Sequence, residues 1–222
     1  MDGPGRRRGP RGDLSREAVL AAAERVLRAE GLAGLSLRAV AREAGTAPNA
    51  VYTYVPTMAA LRNDLADAFL ARLDLDLLLP EGSRGPDQPV GAGGPPEDPR
   101  ETLRRFLQHV LEHFEGSPRL VELLAGQRVV GAGALALHEA LLTFFENRLG
   151  WDLARAADAT LFLTEWVHGH LVLGPSNAQP LDPDVARRAD LSAHPRSAAA
   201  LQLPAGAALG LPLRALFGDP AV

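Results

Sequence analysis

The segment APNAVYTYVP, residues 47–56, brings together an asparagine, a threonine and two tyrosines and contains no charged side chain. Pro48 suits the first turn of a helix, where its missing N–H costs nothing. At about 100° per residue, Ala47, Val51 and Val55 share one narrow face. Asn49 and Thr53 then point the opposite way, with Tyr52 and Pro48 beside them. The thin apolar stripe docks the helix, and the outward face offers an amide, a hydroxyl and a phenol. These are the groups that reach base edges in a major groove and phosphates along its walls. A face meant only for solvent would carry Glu, Arg or Lys instead.

The remaining groups capable of chemistry do not converge. There are no cysteines, which excludes disulfide frameworks, thiol nucleophiles and thiolate metal sites. His168 and His170 lie about 200° apart on a helix and cannot share a metal. His109 and His113 share a face, but it is opposite the stripe from Leu103 to Phe114 and is expected to meet solvent. No G-x-S-x-G, P-loop or H-E-x-x-H motif is present. No catalytic residue, metal ligand or cofactor is assigned, and the sequence is not that of an enzyme.

Charge divides unevenly along the 222 residues. Residues 1–64 hold ten arginines against seven acids, net +3, whereas the other 158 hold thirteen against twenty, net −7. Every basic residue is arginine. Arg6, Arg7, Arg8 and Arg11 form a basic arm over residues 1–13, expected to be flexible and able to reach phosphates or the minor groove. No apolar run follows that arm, and no later stretch stays uncharged for the roughly 20 residues a membrane helix needs. A cytoplasmic protein without a membrane partner is expected.

Helical periodicity positions these groups. Val19, Ala22, Ala23, Val26 and Leu27 give a first helix over about 16–30, with Ser15 as N-cap and Gly31 as a left-handed stop. Leu37, Val40, Ala41 and Ala44 give a second between Ser36 and Gly45. The Pro48 helix is third. A fourth starts near Thr57 and runs through Leu61, Leu65 and Phe69 towards Leu79. Three short helices and a longer one, with a Gly-containing turn between the second and third, form a helix-turn-helix unit. Residues 80–97 are Pro- and Gly-rich and almost devoid of apolar side chains, so a flexible insertion is expected there. Asp98, Pro99 and Glu101 restart order as N-cap, first-turn proline and capping-box acid. Further helices follow from Pro118 to Leu124 and over about 133–149, 152–173 and 206–217.

The stretch LSREAVLAAAERVLRAEGLAGLSLRAVAREAGTAPNAVYTYVPTMAALRNDLADAFL, residues 14–70, resembles the N-terminal domain of TetR-type transcriptional repressors over about a quarter of the chain. The resemblance rests on an ordered set of features: a helix, E-G-L, S-L-R-x-V-A-x-E-A-G, and then x-Y-x-Y-V-P. It implies an all-α fold, in which a helix-turn-helix DNA-binding domain over 14–57 leads through a connecting helix, 58–79, to a helical-bundle ligand-binding and dimerisation domain over 98–222. It also implies DNA contacts from Arg38 on the second helix and from Pro48, Asn49, Ala50, Tyr52, Thr53 and Tyr54 on the third, with Tyr52 on a phosphate. Two departures affect affinity. Met58 stands where the family usually has a phosphate-binding lysine, and Ala47 stands where a Ser or Thr usually caps the third helix, a loss of about 1 kcal/mol unless Thr46 substitutes.

From Ala156 onward the helix over 152–173 is apolar on nearly all sides, and such a helix must be covered all round. One side can meet the chain's own core and the other the same helix of a second copy, giving a two-fold dimer suited to a palindromic operator on double-stranded DNA; the alternative is the central helix of a monomeric bundle. The few polar groups among these helices are the ligand candidates: His138, Thr143, Thr164, Glu165, Trp166, His168 and His170. The resemblance implies that a small-molecule effector bound there releases DNA. The alternative from another class is a small-molecule or protein-binding module of the same fold that has lost operator binding.

Overall fold

The computed structural model describes residues 14–79, 98–177, 191–200 and 208–219, with positions 179, 182, 184 and 188 between them. The basic arm and the 80–97 insertion lie outside the described residues. Among the described residues all regular structure is helical, and no helix is long and apolar enough to cross a membrane. The chain divides into two compact units: residues 1–72 with 117–136, and residues 73–116 with 137–222.

In the first unit, helix starts are fixed by local caps. The Ser15 hydroxyl accepts from Ala18 N at the head of α1 (Arg16–Gly34), Ser36 from Ala39 N at the head of α2 (Leu37–Glu43), and Thr57 from Ala60 N at the head of α4 (Met58–Leu70). Helix α1 breaks at Gly31, whose φ of 72° an L side chain resists, as its reading as a stop requires. Val19, Ala22, Val40, Val51 and Leu61 are all fully enclosed and form the centre of this unit. A surface ion pair ties α1 to the end of α4: Arg72 donates to Glu24 at 2.6 and 3.1 Å. That hydrogen bond holds the Glu24 carboxyl below its usual range, against the opposing effect of partial burial.

Two expectations about this region are corrected. The connecting helix expected over 58–79 ends at Leu70; a short 3-10 turn, Leu75–Leu78, follows. Asp74 accounts for the break, because its carboxylate accepts from Asp76 N and its own N–H donates to His109 Nε2 at 3.1 Å, which draws this backbone away from helical pairing. His109 is therefore a backbone acceptor and not simply a solvent-facing group. The second correction concerns 117–136. These residues were expected in the C-terminal domain, yet α6 (Pro118–Ala125) and the first turn of α7 (Ala132–Leu149) belong to the N-terminal unit.

The reason is a set of contacts with α4. The Asn63 side chain donates to Val130 O and accepts from Val130 N, at 2.8 and 2.9 Å, and Asp67 accepts from Ala134 N at 2.8 Å in the first turn of α7. Gly133 lets the backbones meet: a Cβ there would lie 2.5 Å from the Asp67 carbonyl oxygen and 2.8 Å from Ala71 N. Since the obstructing atoms are backbone, Gly133→Ala should cost about 1–3 kcal/mol. Urea unfolding with helicity as the signal measures this; an unchanged midpoint would mean that the two segments do not approach so closely.

In the second unit, α5 (Pro99–Glu115) buries Leu103, Phe106, Leu107, Val110, Leu111 and Phe114 along one face. Asp98 caps it by accepting from Arg100 N at 2.9 Å, but Glu101 makes no capping box, because its carboxylate is held by Arg104. Helix α8 (Leu153–Asn177) starts where Asp152 accepts from Arg155 N. A small helix α9 (Pro195–Ala200) precedes α10 (Gly210–Phe217), which packs on α5 and α8 and is held by an Arg100 hydrogen bond to Gly218 O at 2.8 Å.

Candidate nucleic-acid interface

Helix α3 (Pro48–Tyr54) is docked by Val51 within it and Val55 just after it, both wholly enclosed. Ala47 does not join them. It is exposed, because it is the extended residue before the helix, with ψ of 146°, and the helical angle does not extend to it. No side chain caps α3, and Thr46 does not substitute for the missing hydroxyl; its N–H instead donates to Ala41 O in the turn. The opposite face carries Pro48, Asn49, Tyr52 and Thr53, all exposed. Thr53 Oγ1 donates weakly to Asn49 O at 3.4 Å, leaving the Asn49 amide and the Tyr52 phenol outward. The surface is uncharged, rigidly based and narrow, suited to lying in a groove whose edges are read by hydrogen bonds.

The other candidates divide. Arg38 on α2 is exposed, and among the described residues its guanidinium has no carboxylate partner, so it is available for an acceptor outside the fold. Ala50 is half-buried. Tyr54 is turned inward, and its hydroxyl donates to the Leu14 carbonyl, tying the end of α3 to the residue before the cap of α1. That makes Tyr54 a brace between two helices, a role that spacing along the sequence did not reveal.

Of the residues singled out in the second unit, two pairs come together. Trp166 stacks on His170 with ring centroids 5.0 Å apart, and Thr164 meets His168, whose Nδ1 lies 2.7 Å from Thr164 O. The α8 core face consists of Ala156, Ala159, Thr160, Leu163 and Val167. Trp166 and His170 lie towards that side and are half-buried, whereas Glu165 and His168 fall within about 60° of each other on the outward face with Leu161 and Val172. Thr164 is also on the outer side, its hydroxyl donating to Thr160 O. On α7, His138 is exposed and Thr143 half-buried. The seven therefore do not form one constellation. Among the described residues no group of three His, Asp or Glu side chains is placed to hold a metal.

Two features of this unit were not legible as site candidates. Thr102 on α5 is fully buried with no hydrogen-bond partner for its hydroxyl, an uncommon state that marks a place where a polar group is wanted. An open cleft of about 270 Å³ lies beside α8, lined by Trp151, Arg155, Ala159 and Phe162 and by Ala215 and Leu216 of α10. Trp151 is sandwiched there between Phe145, at 5.1 Å, and the Arg155 guanidinium, 4.0 Å above the ring centre. Trp151, Arg155 and a helix over about 206–217 were legible in the sequence, but that this helix would line a cleft with them was not.

Comparison with known proteins agrees with this architecture. Residues 19–65 match the family model of bacterial regulatory proteins of the tetR family. The HTH-type transcriptional repressor DrrR1 of Streptomyces coeruleorubidus is 29% identical over 187 residues, covering 83% of this chain; the chain spans 61% of that relative's length. SCO7704, a transcription regulator candidate of Streptomyces coelicolor, superposes with a TM-score of 0.62 at 27% identity, over 94% of this chain and 97% of its own. ActR of Streptomyces coelicolor in complex with actinorhodin superposes with a TM-score of 0.71 at 16% identity, over 94% and 95% of the two chains. With a matching DNA-binding motif over residues 19–65, a docked recognition helix and a shared fold along nearly its whole length, the chain is similar to bacterial transcriptional regulators of the tetR family.

Proposed function

We propose that the protein is a cytoplasmic repressor that binds a palindromic operator as a homodimer and leaves it when a small-molecule effector binds the second unit. The observation that carries this reading is the outer face of α3, where Asn49, Tyr52 and Thr53 stand exposed on a helix anchored by Val51 and Val55. The naming of the relative DrrR1 as a repressor supports the direction of regulation. Dimerisation is supported by the apolar side chains that α8 leaves exposed, Leu161 and Val172 on one outward stripe and Leu153 and Leu173 besides, since exposed apolar surface marks an interaction site. Selection from a random duplex pool tests the reading: a two-fold symmetric motif is expected. No enrichment would favour the alternative of a binding module without an operator, consistent with the uncapped α3 and with Met58.

The effector is a mainly apolar or aromatic molecule held in the second unit among α5, α7 and α8. It must bind the DNA-incompetent arrangement more tightly, and a coupling of about 1–3 kcal/mol gives a 5- to 150-fold loss of operator affinity. Trp166 and His170 supply a stacking surface with a polar edge, and Thr102 a hydroxyl without a partner. Glu165, His168, Thr164, His138 and Thr143 are secondary candidates. Actinorhodin, bound by the structural relative ActR, is a first probe. Replacing His170 with Ala should reduce the response to an active effector at least several-fold while leaving operator binding of the free protein nearly unchanged, as measured by fluorescence anisotropy of labelled operator. Loss of operator binding without effector would make His170 structural, and a normal response would remove it from the site.

A further inference from the structure

Five arginines on α1, α2 and the segment through Arg72 are engaged by carboxylates: Arg16 with Asp64 at 2.7 Å, Arg25 with Glu43 at 2.6 Å, Arg28 with Glu24 at 3.0 Å, Arg42 with Glu30 at 3.1 Å, and Arg72 with Glu24 at 2.6 Å. Each pair is largely neutral to an approaching polyanion. Among the described residues of α1 to α4, Arg38 and Arg62 have neither an ion pair nor a hydrogen bond, and both are exposed. Along the chain they flank the recognition helix. Arg38 lies on α2, which precedes α3, and Arg62 lies in the second turn of α4, which follows α3 after Val55, Pro56 and Thr57.

We infer that Arg62 is a second DNA-backbone contact, binding a phosphodiester beside the recognition helix. The inference rests on the DNA-binding reading above. Its physical basis is threefold. Long side chains on a helix lean towards its N-terminus, so the Arg62 guanidinium extends over the first turn of α4, the turn nearest α3. Met58, half-buried at i−4 on the same face, offers an apolar bed for the arginine methylenes while the charged head stays in water. A neighbouring carboxylate would neutralise the group, and between Arg16 and Arg72 each of the other five arginines has one, so the two left bare in this stretch are those on the helices just before and just after the recognition helix. Arg62 therefore contributes affinity without sequence preference, because a phosphate contact positions the protein and carries no base information.

The test is the salt dependence of binding by the full chain to its selected operator and to an unrelated duplex of the same length. Arg62→Ala should weaken both by the same factor and reduce the slope of log affinity against log salt by about 0.9 for each subunit bound. Arg62→Lys should restore most of the slope, whereas Arg28→Ala, which removes an equally exposed but paired arginine, should leave it unchanged. Thermal unfolding should be nearly the same for all three variants and the wild type, since Arg62 makes no ion pair or hydrogen bond among the described residues and the Arg28 pair is a surface one. An unaltered slope in Arg62→Ala, or an equal reduction in Arg28→Ala, overturns the assignment while operator binding stands. Wild-type protein that binds no duplex overturns the functional reading and this assignment together.

Discussion

Leu161→Glu should convert the protein to a monomer at micromolar concentration and weaken operator binding on the order of 10²-fold or more, the loss expected when two linked half-site contacts become one. Leu161 is 57% exposed in the single chain, so a carboxylate there meets no obstruction within the protomer and should leave helicity intact. Against a second copy the same carboxylate would be buried without a partner, at a cost of several kcal/mol. Val172 lies about 20° away on the same face, three turns along, and Val172→Glu should act in the same way. Ala157, on that stripe but half-buried, is the site where small size permits close helix approach, and Ala157→Glu should also disrupt association. Light scattering together with operator titration decides the matter. A Leu161→Glu protein that remains dimeric and binds as before would show that the outward face of α8 is not the interface.

The second large effect concerns reading of the operator. Replacing Arg38 with Ala should cost about 1–3 kcal/mol and relax preference at a single base pair, if the unpaired guanidinium makes a two-point contact to guanine. Tyr52→Phe should instead weaken all duplexes alike if its hydroxyl addresses a phosphate, because such a contact carries no base information. Affinity selection repeated with each variant separates the two: the Arg38 variant should return a motif degenerate at one position in each half-site, and the Tyr52 variant the original motif at lower yield. Equal effects of both substitutions on every sequence would overturn the assignment of roles while leaving DNA binding itself in place. Tyr54→Phe provides a contrast, since its hydroxyl bonds to Leu14 O and its loss should lower stability by about 1 kcal/mol.

Much of the domain was determined by the sequence alone because the forces concerned act within one helical turn. Ser15, Ser36, Thr57 and Asp98 each cap the helix that their position announced, through a hydrogen bond two or three residues away. Gly31 breaks α1 where its backbone freedom was needed, and every residue of the 3.6-residue stripe of α5 is buried, with Thr102 joining it. The outward side chains of α3 followed from the same periodicity once Val51 and Val55 were placed inside.

Only the tertiary structure decided matters that depend on partners distant in sequence. Asn63 clamps Val130, and Asp67 caps α7, across 67 residues, which moves 117–136 into the N-terminal unit. Tyr54 was indistinguishable from Tyr52 by composition, yet its bond to a carbonyl 40 residues earlier turns it away from the groove face. Helix α8, apolar nearly all round, could not declare which side meets its own core; packing buries Leu163 and Val167 and leaves Leu161 and Val172 outward, carrying Glu165 and His168 with them. Which arginines remain free for DNA is likewise a property of the fold: a charge is neutralised by whatever lies within a few ångströms of it, and a linear sequence does not specify that distance.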